Sequence, residues 1–113
     1  MRIEFEDGEL IADRVVEARG FFQRAKGLLG RASIQAGEGM YFANASSIHM
    51  WFMRTALDVI FLDAEHRVTK VCRNLKPWAM AFGGGRSRHT LELAPGSLPE
   101  GRPAIGERLG MKG

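Results

Sequence analysis

The chain has a single cysteine, Cys72, among 113 residues, so an internal disulfide is excluded. A thiol in a strand behaves as a small hydrophobe. A reactive one needs a basic, partly exposed setting, and the neighbouring Arg73 points to the opposite face of an extended chain. No apolar run approaches the roughly 20 residues that span a bilayer. The opening MRIEFEDGEL alternates and is acidic, unlike a signal peptide. A cytoplasmic protein is expected, or a periplasmic one if a leader was removed. Paired carboxylates, a second cysteine and His-x-x-x-His spacing are all missing, so neither a metal site nor a cofactor is expected. Acidic residues are scarce in one region in particular. Residues 69–90 hold Lys70, Arg73, Lys76, Arg86 and Arg88 and no acid, whereas residues 1–19 hold six acids and three bases. The basic segment reads as an anion-facing loop or a solvated one.

What is present suffices for one domain over residues 1–113. A hydrophobic content of 45% supports a core without disulfide or metal. Ile3 and Phe5 alternate with polar residues, Asp7-Gly8 makes a hairpin turn, and Leu10 to Val16 makes a second strand. Phe21, Phe22, Ala25, Leu28 and Leu29 recur at helical spacing, which predicts one short helix bounded by Gly27 and Gly30. Strands follow at 40–43, 48–54, 58–62, 67–73 and 90–94, with a last one near 104–109. Residues 74–88, with Pro77 and three consecutive glycines, form the longest irregular stretch and are expected to be the most mobile. Many short strands with regular turns predict a mainly β fold, an antiparallel β-sandwich or distorted barrel with one short helix near the N-terminus.

The richest stretch is Ile48 to Asp63. If 48–54 is a strand, His49, Trp51 and Met53 share one face, and Met50 and Arg54 the other. If it pairs with 58–62 as a hairpin, Arg54 and Asp58 meet near the connection. That pair is either a structural ion pair or a guanidinium fork that Asp58 orients toward a carboxylate or phosphate. His49 beside Trp51 is either a core histidine or the wall of a pocket. His49, Met50 and Met53 are soft ligands suited to monovalent copper, but alternation turns Met50 away from the other two. Gly83-Gly84-Gly85-Arg86-Ser87-Arg88 can form a backbone nest for an anion, with Trp78 and Phe82 as nearby aromatic surface. His89 follows it directly. His66 falls in a turn and is expected at the surface.

The motifs in order are Gly27-Leu28-Leu29-Gly30-Arg31, Gly39-Met40-Tyr41-Phe42, and His49 to Thr55 running into Leu57 to Asp63. Leu75-Lys76-Pro77-Trp78 and Leu91-Glu92-Leu93 ahead of Gly96 complete the set. In this the chain resembles the bacterial and archaeal DUF192 family over residues 15–109. Ala56 stands where a Pro often precedes Leu-Asp, and Glu107 where an Asp is usual. The resemblance implies a β-rich, sandwich-like fold and no activity.

The reading these features favour is a non-enzymatic binding module for a small anionic ligand or a peptide. Its candidate residues are His49, Trp51, Arg54, Asp58, Trp78, Arg86, Arg88 and His89, around a cleft between the 48–54 strand and the 74–89 loop. One alternative is a small hydrolase or lyase with His49 or His89 as base and Arg54 stabilising charge; no serine or cysteine nucleophile stands in a recognisable setting for it. Another is a nucleic-acid accessory protein using residues 69–90, for which the patch is small. A protein partner remains compatible with all of these features.

Overall fold

The structure, a computed structural model, describes residues 1–18, 33–50 and 53–113. The described residues form ten strands: β1 Arg2–Glu4, β2 Leu10–Ala12, β3 Arg14–Glu17, β4 Glu38–Phe42, β5 Ser47–His49, β6 Leu57–Leu62, β7 Val68–Leu75, β8 Met80–Phe82, β9 His89–Leu93 and β10 Gly110–Lys112. They contain no helix. The helix expected around Phe21–Leu29 lies outside the described residues.

Three layers result. A five-stranded sheet of order β3-β4-β9-β6-β7 lies in the middle. A three-stranded sheet, β10-β1-β2, covers one face, and the two-stranded β5-β8 sheet covers the other. Side-chain alternation divides the central strands between two cores. Tyr41, Ile60, Leu62, Leu91 and Leu93 pack on Ile3, Phe5, Ile11 and Ala12 of the outer sheet. Met40, Phe42, Leu57, Val59 and Phe61 pack on Met50, Met53 and Ala81 of the opposite layer. All six residues of β6 are buried, as expected of a strand covered on both faces, and its sequence LDVIFL is accordingly almost continuously apolar.

The first hairpin forms, with positive φ at Gly8 alone rather than at both Asp7 and Gly8. Gly8 holds φ +91°, a conformation that costs glycine little, and its N–H donates to the Phe5 carbonyl at 2.9 Å. Four expectations need correction. The second strand breaks at Asp13, so β2 and β3 enter different sheets. The sheets are not antiparallel throughout, because β3 and β4 run parallel. The last strand is Gly110–Lys112 rather than residues 104–109. Most consequentially, the described residues of the 48–54 segment are in a strand only at Ile48 and His49, within β5, and none of them pairs with β6. β5 pairs with β8, while β6 pairs with β7 and β9.

Candidate recognition surface

The β5-β8 layer does join the two segments expected to bound a cleft. Ser47, Ile48 and His49 oppose Phe82, Ala81 and Met80. The Met50 N–H donates to the Ala79 carbonyl at 2.7 Å, and the Trp78 N–H donates to the Met50 carbonyl at 2.7 Å. Ile48 and Ala81 turn inward onto the second core. By alternation Ser47, His49, Met80 and Phe82 turn outward. Trp78 sits at φ +70°, uncommon for a bulky residue. Trp78, Met80 and Phe82 remain 60%, 51% and 61% exposed. Three large apolar side chains within five residues form a surface patch of the kind that marks an interaction site.

One cation reaches this patch directly, and four more are exposed on neighbouring stretches of chain. Lys70, on the edge strand β7, donates from Nζ to the Phe82 carbonyl at 2.9 Å. Lys76, Arg86, Arg88 and Arg54 are exposed. Arg88 Nη1 holds the Gly85 and Ser87 carbonyls at 3.1 and 3.0 Å, which ties down the glycine loop. Among the described residues none of these five cations is in an ion pair, so their charge is uncompensated by direct contact. Beyond the glycine loop lies an open cavity of about 390 Å³, to which Arg67, Thr69, Gly83, Gly85, Arg86 and Ile105 contribute. Asp63 also borders it, but its Oδ1 already accepts the Glu65 and Arg67 amides at 2.9 Å each. Those amides hold the Asp63 carboxyl below its usual pKa.

The candidates from sequence therefore fall into separate places. His49, Trp78 and Arg86 belong to the exposed surface, with Arg54 exposed in the turn that leads to β6. Arg88 braces the loop. Trp51 lies outside the described residues. Asp58 is 2% exposed, and its two oxygens accept the backbone N–H groups of Asn74 at 2.8 Å and Leu98 at 3.2 Å. It does not meet Arg54, because the hairpin that would have joined them does not exist. His89 lies across the central sheet's other face with Tyr41 and His66. His66 is half-buried rather than at the surface.

Two groupings of polar residues were not anticipated from the sequence, although His89 itself was a candidate. In the first, Tyr41 Oη and His66 Nε2 are 3.1 Å apart, and the His66 and His89 ring centres are 5.3 Å apart. His89 Nδ1 accepts the Asn44 N–H at 3.0 Å, so neutral His89 carries its proton on Nε2. Burial, then the neighbouring His66, holds the His89 pKa below its ordinary value. Burial pushes the Tyr41 hydroxyl up. His66 also borders an open cavity of about 570 Å³ beside Phe5, Arg108 and Met111. The second is Glu92, 7% exposed in mid-strand β9. Burial lifts its carboxyl to about 8, and no hydrogen bond to it occurs among the described residues. The available signal was the Thr90-Leu91-Glu92-Leu93-Ala94 alternation, which puts Glu92 on one face of a strand that has no polar face.

The profile of DUF192, described as "Uncharacterized ACR", matches residues 3–111. The chain belongs to this family. A UPF0127 protein of Pyrococcus horikoshii is 38% identical over 64 residues, 57% of this chain and 55% of the relative, so the match spans about half of that protein. A UPF0127 protein of Thermococcus sibiricus is 28% identical over 113 residues, covering 96% of this chain and 73% of the relative. Among solved structures, a Novosphingobium aromaticivorans protein of unknown function superposes with a TM-score of 0.80 at 23% identity, over 97% of this chain and 82% of that one. A Sinorhizobium meliloti protein superposes with a TM-score of 0.79 at 23% identity, over 96% and 89%. At that identity the structures establish a shared fold and nothing finer.

Proposed function

We propose that this DUF192 protein is a non-enzymatic recognition module for an acidic peptide segment that also carries apolar side chains. The observation that supports it is the exposed Trp78-Met80-Phe82 row set among cations with no acid between residues 69 and 90. Apolar side chains of the peptide would cover the row, and its carboxylates would meet Lys70, Lys76 and Arg86. An Arg guanidinium suits a carboxylate through its planar fork. The 390 Å³ cavity beside Arg67 and Arg86 would take one carboxylate-bearing side chain. A small anion alone would use that cavity without the aromatic row, and a single-stranded oligonucleotide would use both.

Fluorescence anisotropy separates these cases. The probe is a labelled peptide alternating Glu with Leu and Phe, compared with its Lys counterpart, orthophosphate and oligo-dT. The acidic peptide should bind and should weaken as salt rises, since the Debye length is near 8 Å under physiological conditions. Trp78→Ala, Phe82→Ala and Arg86→Gln should each reduce binding while the melting temperature holds. Equal binding of the Lys peptide, or retention by Trp78→Ala/Phe82→Ala, would defeat the reading. Displacement by orthophosphate alone would favour the small anion. Tighter binding of oligo-dT would favour nucleic acid.

A further inference from the structure

Strand β8 pairs with β5 on one side, and among the described residues no strand lies along its other side. The bonds at the two ends of the β5-β8 pair fix which backbone groups face that open edge. The Met50 N–H donates to the Ala79 carbonyl at 2.7 Å, and the Gly83 N–H donates to the Ser46 carbonyl at 2.8 Å. Opposed residues of an antiparallel pair alternate between hydrogen-bonded and non-bonded pairs. Ile48 and Ala81, opposed midway between those ends, therefore form a bonded pair. The N–H and C=O groups of Met80 and Phe82 consequently point away from β5. Among the described residues one group meets them, Lys70 Nζ, which donates to the Phe82 carbonyl at 2.9 Å. A lysine at an exposed strand edge guards it against indiscriminate pairing. The Met80 and Phe82 side chains are 51% and 61% exposed.

We propose that an acidic peptide adds to this edge of β8 as a third strand, with apolar residues alternating with carboxylates. The proposal rests on the acidic-peptide reading above and gives it a binding mode. In strand addition, main-chain hydrogen bonds supply affinity and alternate side chains supply specificity. Peptide side chains opposite Met80 and Phe82 fall on the same outward face and lie against them. The side chain opposite Ala81 turns the other way, toward the central sheet. Lys70 stands there, because its Nζ already reaches the edge at Phe82. A carboxylate at that position takes over the ammonium and releases the Phe82 carbonyl to the incoming strand. A Lys or Arg at the same position would meet like charge, with no acid between residues 69 and 90 to offset it. The expected ligand pattern is thus apolar-acidic-apolar with a period of two.

The test uses the full chain and a labelled peptide alternating Glu with Leu and Phe. Two further versions carry backbone N-methyl groups, one at every Leu and Phe and the other at every Glu. An added strand uses only one of these alternate sets to bond β8. One version should lose at least about tenfold in affinity, as expected for several lost main-chain hydrogen bonds. The other should bind like the parent. Loss at Leu and Phe marks an antiparallel strand, and loss at Glu a parallel one. The Met80 and Phe82 amides should exchange at least about tenfold more slowly in the complex than in the free protein. The Ala81 amide should be slow in both. Lys70→Gln should weaken the Glu peptide more than its Gln counterpart. If the parent binds and both N-methylated versions bind equally well, strand addition is overturned and the surface reading stands. Loss in both versions, or unchanged exchange at Met80 and Phe82 in the complex, would also overturn strand addition. A parent peptide that fails to bind would remove the recognition reading itself, and this mode with it.

Discussion

The Asp58 carboxylate accepts amides from two separate segments, at Asn74 and Leu98. Removing a buried acceptor strands its donors at about 1–3 kcal/mol each. Asp58→Ala should therefore destabilise by about 3 kcal/mol in a denaturant titration. Arg54→Ala, at an exposed site, should change stability by no more than about 0.5 kcal/mol; a large loss would restore the ion pair that the sequence suggested. Glu92 makes an opposite kind of statement. Its folded pKa is about 8 against an ordinary 4.5. Between those values the folded protein holds a proton that the unfolded chain has released. Stability contributed by neutral Glu92 is therefore complete below pH 4.5 and falls as pH rises toward 8. The slope is about 1.4 kcal/mol per pH unit, on the order of 5 kcal/mol in all. Glu92→Gln should flatten that dependence and be the more stable protein at pH 8. A wild-type profile already flat from pH 5 to 8 would show the carboxyl to be ionised or solvated. His89 acts at the other end of the scale. With its pKa held down, folding disfavours the proton, so its contribution is present above pH 6.5 and is lost as pH falls below it. His89→Gln should lessen that acid sensitivity.

At the scale of elements, the 74–88 segment is tied down more than three glycines suggest. The Gly83 N–H donates to the Ser46 carbonyl at 2.8 Å, and the Ser87 N–H donates to the Gly84 carbonyl at 3.1 Å. The amides of Met50, Trp78 and Gly83 should thus exchange slowly with solvent, and exchange as fast as in an unfolded chain would return the segment to the mobile reading. Glycines in this loop differ in what they tolerate. A Cβ at Gly83 would lie 2.8 Å from Phe61 Cδ1, whereas one at Gly85 meets nothing within 4 Å. Gly83→Ala should destabilise measurably and Gly85→Ala should not. Periodicity made most central strands legible, because β4, β6, β7 and β9 carry local apolar patterns. Pairing was less legible. The hairpin between 48–54 and 58–62 looked natural from proximity in sequence. What decides the matter is that Ile48 and Ala81, far apart in sequence, cover the same core. Glu92 was hidden for a related reason. A glutamate between two leucines reads as the wet side of an edge, and only the third layer covers most of that side.

Across the whole molecule, the two outer layers divide the surface chemically. The β10-β1-β2 side carries acids already engaged, with Glu4 held by Arg2 and Lys112 and Asp7 and Glu9 by Arg102. The β5-β8 side carries the exposed aromatics and the uncompensated cations. That asymmetry, more than the modest net charge of +3, directs an acidic partner to one face. The most direct test is amide and side-chain NMR of the labelled protein titrated with the Glu/Leu/Phe peptide. Shifts concentrated on His49, Lys70, Trp78 to Gly85 and Arg86, with Tyr41, His66 and the β10-β1-β2 sheet unmoved, are the expected result. Shifts confined to the His66 side, or no saturable shift anywhere, would contradict the assignment of this face as the recognition surface.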